Sequence, residues 1–179
     1  VDDTLAQVNI NVGETHVSRE PVEIKTLLGS CVAACLYDPV AQVGGMNHFL
    51  LPHTESTHEI DRQRFGTHAM ETLINGLMSK GADRRRLQAK VFGGGNVLGM
   101  VSRRPSVGEQ NAAFARSFLQ TEGIQLVASR LGGNSGMEVR FHPHTGRVFV
   151  RDIARDLIDL SREEADEMPM PGGDAELFI

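Results

Sequence analysis

The sequence predicts an α+β fold, an α/β layered sandwich of mixed, mostly antiparallel sheets with two main helices. Three observations carry this reading. Short alternating or continuously apolar runs recur along the chain, enough for six to eight strands. Only two segments repeat apolar residues at spacings of three and four. Hairpin signals lie toward both ends of the chain, which argues against a doubly wound parallel sheet.

The elements follow in order. Residues 8–13 (VNINVG) alternate and close on Gly, a first strand. Residues 22–28 (VEIKTLL) are extended and lead into Gly29-Ser30. Residues 31–37 (CVAACLY) read as a buried strand, and 44–51 (GGMNHFLL) as another, stopped by Pro52. Residues 53–64 are polar and His-rich, a loop. From 60 to 80, Phe65, Ala69, Met70, Leu73, Ile74, Leu77 and Met78 mark one face of a helix that stops at Lys80-Gly81. Leu87 to Phe92 is a short strand before Gly93-Gly94-Gly95. Residues 108–122 form a second helix closed by Gly123, and Ile124 to Ser129 a strand. Met137 to Phe141 and Arg147 to Ile153 flank His144-Thr145-Gly146 as a hairpin.

Length and composition bound the function classes. A chain of 179 residues with 40% apolar and 23% charged residues is one globular domain with room for a tail. No run of 18 apolar residues exists, so no transmembrane helix is expected and no direct membrane insertion. Val1-Asp2-Asp3-Thr4 lacks the basic and apolar regions of a signal peptide. Net charge is −5, unevenly spread: residues 155–179 hold eight acids against Arg155 and Arg162, or −6, leaving +1 for 1–154. A near-neutral body does not point to nucleic acid. The division expected is a single domain over 1–154 and an acidic, flexible C-terminal tail over 155–179, with Leu177-Phe178-Ile179 apolar enough to dock. Two cysteines are too few for a disulfide scaffold, and a cytoplasmic location fits them best.

Cys31 and His48 are the most informative pair. Asp38-Pro39-Val40-Ala41 has the signature of a type I turn, with Asp first and Pro second. A hairpin centred there pairs residues whose numbers sum to a constant and sets Cys31 directly opposite His48. Opposed residues share a face, with Cβ atoms roughly 4.5–5.5 Å apart. A thiol beside an imidazole is what a cysteine nucleophile needs, because the thiolate is the reactive form. The same His can protonate a leaving amine and activate water. Gly29-Ser30 lets backbone N–H groups converge on a developing oxyanion. The competing reading is a buried core cysteine that pairs with His48 by chance. Cys35, roughly 13 Å further along the strand, is too far for a disulfide and reads as core.

Thr26-Leu27-Leu28-Gly29-Ser30-Cys31-Val32-Ala33-Ala34-Cys35-Leu36, followed by Gly44-Gly45-Met46-Asn47-His48-Phe49-Leu50-Leu51-Pro52, resembles the CheD family of chemoreceptor glutamine deamidases. The helix ending in Lys80-Gly81-Ala82, the run Lys90-Val91-Phe92-Gly93-Gly94-Gly95, Asn111 at a helix start, and Gly132-Gly133-Asn134-Ser135-Gly136 extend the resemblance over roughly 8–153. It implies a layered α/β sandwich similar to the catalytic domain of a bacterial toxin deamidase. It implies conversion of receptor glutamines to glutamates with release of ammonia, through a thioester. It implies Cys31 as nucleophile and His48 as general base. It implies a Thr upstream of the Cys that orients the His: Thr26 fills that place if the family position is five residues before Cys31, and if it is six, where Lys25 stands, the chain departs from the pattern. The implied partners are methyl-accepting chemotaxis receptors, through their helical cytoplasmic region, and in some organisms a CheC-type phosphatase. No cofactor is required by this chemistry.

Other readings stand beside it. A zinc site at His53, His58 and His68 lacks an HExxH or CxxC pattern, so no metal is expected. Gly93 to Gly99 follows a strand, but no Rossmann unit accompanies it. Asn96 and Asn134 are candidates for the substrate groove, or simply for turn ends. His142 and His144 read as surface residues, and Arg84-Arg85-Arg86 as a solvated loop. A non-enzymatic adaptor that binds CheC or receptors, another cysteine amidohydrolase and a transglutaminase remain as alternatives.

Overall fold

The computed structural model describes residues 4–53, 57–99, 101–154 and 175–179. Its strands are β1 (Ala6–Asn9), β2 (Thr15–Ser18), β3 (Val22–Leu28), β4 (Val32–Asp38), β5 (Val43–Phe49), β6 (Gln88–Gly93), β7 (Gln125–Leu131), β8 (Gly136–His142), β9 (Arg147–Ile153) and β10 (Glu176–Phe178). The helices are α1 (Glu59–Ser79) and α2 (Val107–Thr121). One five-stranded sheet runs β1-β3-β8-β9-β10 and the other β2-β5-β4-β6-β7. Among the described residues, only β1 with β3 and β6 with β7 pair in parallel; the other pairs are antiparallel. The fold is therefore α+β, as the sequence predicts. Among the described residues, no helix is long and apolar enough to cross a membrane.

Three layers result: helices, the β4-containing sheet, and the β3-containing sheet. Strand β4 is covered on both faces, which is why its sequence is apolar without alternation. Val32, Ala34 and Leu36 pack with Leu73, Ile74 and Leu77 of α1 and Phe118 of α2. Ala33 and Cys35 face the other way, against Ile24, Leu28, Val139 and Phe141. Each fully buried Val, Leu, Ile or Phe among them contributes about 1.5–3 kcal/mol. Strand β3 has one covered face, so it alternates: Ile24, Thr26 and Leu28 are buried inward, while Lys25 turns outward to Glu138 at 3.0 Å.

Both helices begin near their expected starts. Ser106 and Glu109 form a reciprocal capping box at the head of α2. Helix α1 starts at Glu59, inside the segment expected as loop, and ends where Ala82 N–H returns to the Leu77 carbonyl. Phe65 and Met78, placed on its apolar face by spacing, are half-exposed; Gly66 takes the contact with Phe114 instead.

Several expectations are corrected. Strand β1 stops at Asn9, because Asn11 to Glu14 closes a turn, and the short β2 had no alternation long enough to read. The β4–β5 connection is wider than a two-residue turn. Asp38 accepts from the N–H groups of Val40 and Ala41 at 2.9 and 3.0 Å, and the Asp38 carbonyl receives Gln42 N–H at 2.9 Å. Gln42, at φ 53°, completes the wider loop. Asp38 then pairs with Val43 and Ala33 with His48, so Cys31 is not directly opposite His48.

His142 is no surface residue: it is 7% exposed and lies 2.9 Å from the buried Glu23 carboxylate. Arg84 pairs with Glu71 and Glu122, Arg86 with the buried Asp38 and Arg85 with Asp83, while Arg85 and Arg86 stay exposed. Burial alone would raise the Asp38 pKa, but Arg86 and the N–H groups of Asp83, Ala41 and Val40 outweigh it and hold it well below the usual range. At the C-terminus, β10 covers the outer edge of β9. Phe178 packs edge-on to Phe92, with ring centroids 5.3 Å apart, and its carbonyl receives Lys90 Nζ at 3.0 Å. The apolar end of the acidic segment is thus a docked strand, and the rest of the expected tail, residues 155–174, lies outside the described residues.

Candidate active site

The site forms where β3 leaves one sheet and β4 enters the other. Gly29, Ser30 and Cys31 make that corner, and their three carbonyls are each held. Gly95 N–H donates to Gly29 at 2.9 Å, the Asn111 side chain to Ser30 at 2.9 Å, and Gly94 N–H to Cys31 at 2.8 Å. A Cβ on Gly93, whose φ is +107°, would stand 2.2 Å from the Cys31 carbonyl oxygen, so only glycine fits beside the corner. Gly108, in the first turn of α2, meets the same limit against the Gly94 carbonyl at 2.4 Å. Helix α2 therefore rests its N-terminal turn directly on the glycine loop.

Cys31 is 6% exposed and packs in the inter-sheet core with Ala33 and Cys35. Ala33 is opposite His48, and the residue two before it lies diagonally across on the same face, with Cα atoms roughly 7–8 Å apart. The wider loop shifts the partner by two residues. Side-chain direction has a period of two, so the shift leaves the face unchanged.

His48 is 5% exposed. Its Nδ1 lies 2.7 Å from Thr26 Oγ1, and Thr26 Oγ1 lies 2.7 Å from the Ile10 carbonyl. A hydroxyl has one proton. A carbonyl can only accept, so that proton goes to Ile10 and the Thr26 oxygen accepts from Nδ1–H. The imidazole is then the Nδ1–H tautomer, with the lone pair on Nε2, which has no hydrogen-bond partner among the described residues. Burial pulls the pKa of His48 down to about 4, against the upward pull of the Ile10 carbonyl. The ring is neutral at pH 7. A neutral imidazole anchored at one nitrogen and open at the other can take a proton from a thiol or a water.

Cys35 differs. It is buried, and desolvation pushes its thiol pKa up against the lowering influence of Lys90, so it stays protonated.

The remaining residues named from sequence fall around the corner. Gly29 and Ser30 belong to it. Asn96 is half-buried, and its N–H donates to the Gly133 carbonyl at 2.8 Å, while Gly132 N–H donates to Gly93 at 2.9 Å. These bonds lace the two glycine-rich loops together and bring the exposed Asn134 beside the same rim. Two participants were not identified as site residues from sequence. The Ile10 carbonyl carries no side-chain signal. Asn111 does carry one: it stands at helical spacing with Phe114, Ala115 and Phe118, a polar residue on the apolar stripe. Its Oδ1 accepts Leu51 N–H at 3.1 Å.

Comparison with known proteins adds the following. A family model described as CheD chemotactic sensory transduction matches residues 50–152, a span that begins after His48. A Caulobacter sp. (strain K31) protein named probable chemoreceptor glutamine deamidase CheD is 48% identical over 177 residues, covering 96% of this chain and 93% of that protein. An Agrobacterium fabrum protein of the same name is 53% identical over 142 residues, covering 79% of this chain and 77% of that protein. Among solved structures, a Neisseria meningitidis protein of family-model DUF152 is similar at a TM-score of 0.45 and 10% identity, covering 73% of this chain and 64% of that one. A likeness that loose carries no argument.

Proposed function

The chain belongs to the CheD family, and from that premise we propose that it is a cysteine-dependent deamidase of chemoreceptor glutamines. It is an enzyme acting on glutamine side-chain amides of proteins. The observation that supports the cysteine mechanism is the chain from the Ile10 carbonyl through Thr26 to His48, which keeps the proton on Nδ1 and leaves the Nε2 lone pair open.

His48 Nε2 takes the proton of the Cys31 thiol, and the thiolate sulfur bonds to the side-chain carbonyl carbon of a substrate Gln. The carbonyl oxygen becomes an oxyanion, met by backbone N–H groups of the Gly29-Ser30-Cys31 corner. The C–N bond then breaks. The nitrogen leaves as ammonia, carrying the proton that His48 returns to it, and a thioester remains. His48 next takes a proton from water. The hydroxide adds to the thioester carbon, the C–S bond breaks, and the proton goes back to sulfur. One water is consumed, and Gln has become Glu plus ammonia. The rim of Asn96 and Asn134 borders the substrate backbone. The substrates on this reading are helical cytoplasmic regions of methyl-accepting receptors, and a CheC-type phosphatase is a second partner. Each conversion adds one negative charge to a receptor helix.

Incubation with a receptor fragment should replace amide by carboxylate at defined glutamines, read as the corresponding mass gain and as released ammonia. Cys31→Ala should abolish both. Full activity in Cys31→Ala refutes the nucleophile, and binding without any mass change in the unaltered protein would favour an adaptor.

A further inference from the structure

The Ser30–Cys31 peptide is held from a side chain that the steps above do not use. Asn111 is fully buried, at 0% exposure. Its Nδ2 donates to the Ser30 carbonyl at 2.9 Å and its Oδ1 accepts from Leu51 N–H at 3.1 Å. One amide thus joins the corner that carries Cys31 to the segment three residues beyond His48. Packing alone does not ask for an amide there. The neighbouring positions on the stripe are Phe114, Ala115 and Phe118, and a buried polar group is unfavourable unless its bonds are made.

We propose that Asn111 is a positioning residue for deamidation: it fixes the plane of the Ser30–Cys31 peptide and ties it to the His48-bearing segment. The inference rests on Cys31 being the nucleophile. In a trans peptide the C=O and N–H point in opposite directions. Turning the Ser30 carbonyl toward Asn111 therefore turns the Cys31 N–H away from α2, and sets the Cα from which the thiol projects. Gly95 and Gly94 hold the carbonyls on either side, so three consecutive peptide planes are fixed before substrate arrives. Preorganised donors of this kind act because they need no reorientation as charge develops. Asn111 itself is placed by the capped first turn of α2, lying on the glycine loop.

The test is Asn111→Asp, nearly the same in shape. One carboxylate oxygen keeps the bond from Leu51, while the other has no proton to give Ser30. The readouts are kcat and KM for a receptor fragment, melting temperature, and the pH dependence of the variant-to-parent rate ratio. The expected result is a fall in kcat of about 10- to 100-fold with KM within about twofold. The rate ratio should rise as pH falls and the new carboxyl regains a proton to donate. Leu119→Val, in the same helix but in the helix-side core, serves as the stability control and should lower melting without lowering kcat. If Asn111→Asp does not fold, Asn111→Ser, too short to reach both partners, is read the same way. A folded variant with parental kcat overturns the proposal. So does a kcat loss that Leu119→Val reproduces at equal loss of melting temperature. With Cys31→Ala inactive, either result removes only the role of Asn111; an active Cys31→Ala removes the nucleophile reading itself.

Discussion

Thr26→Val removes one hydroxyl at nearly constant volume, and with it two buried hydrogen bonds of 2.7 Å each. The Ile10 carbonyl and His48 Nδ1–H lose their common partner. Leaving a buried group unsatisfied costs about 1–3 kcal/mol. The two orphans can satisfy one another only if the imidazole swings toward Ile10, and that swing moves Nε2. Either the fold is destabilised by about 1–3 kcal/mol for each unmet group, or the base is displaced. A displacement of about 1 Å costs on the order of 100-fold in rate. The expected outcome for folded Thr26→Val is a kcat lower by about 100-fold, with KM little changed and a lower melting temperature. Thr26→Ser keeps the hydroxyl and should stay within about threefold of the parent, because both bonds can reform. The assay is receptor-fragment deamidation followed by mass, with thermal melting alongside. Parental kcat in folded Thr26→Val, when His48→Ala is inactive, refutes the claim that Thr26 sets the ring.

Further outcomes follow from the same geometry. Burial holds the His48 pKa at about 4, below its ordinary value near 6.5, so between those values the unfolded chain binds a proton that the folded chain does not. The stability this represents is fully present above about pH 6.5 and is lost as pH falls to about 4, on the order of 3 kcal/mol; denaturant melts across that range should show it, and the acid limb of kcat/KM should lie near the lower value. Gly93→Ala combines φ +107° with a Cβ 2.2 Å from the Cys31 carbonyl oxygen, and should destabilise by at least about 1–3 kcal/mol and displace Cys31, read as lower melting and lower kcat. Cys35→Ala should leave deamidation within about twofold and cost about 1–2 kcal/mol for the small volume lost, measured by urea unfolding. Deleting 175–179 uncovers the β9 edge and the Phe92 ring; melting temperature should fall while kcat is unchanged.

Most elements were legible because their signals are local. A continuous apolar run marked the doubly covered β4, alternation marked β8 and β9, and the three-four spacing marked both helices. The register of β4 against β5 was not legible. The Asp-Pro pair suggests a two-residue turn, but Asp38 spends its carboxylate on Val40, Ala41 and Asp83, and Gln42 takes a left-handed conformation to finish a longer loop. The error was two residues in the pairing and none in the face. Cys31 and His48 therefore stay on one side of the sheet although Ala33 is the direct partner. His142 stands beside a hairpin turn, a setting that is usually exposed, while its carboxylate partner Glu23 lies 119 residues earlier in the chain.

By itself the sequence determined which residue types stand at the corner, that the run from Cys31 to Tyr37 is a buried strand, and where the two helices lie. These depend on local apolar runs and spacings, which neighbours along the chain reveal. Only the tertiary structure decided where the Thr26 proton goes, which nitrogen of His48 keeps its lone pair, and what holds the Ser30 carbonyl. Those bonds join residues 16, 22 and 81 positions apart. A hydroxyl or an amide can bond in several directions, and its partner is settled only when two sheets and a helix close on the same corner.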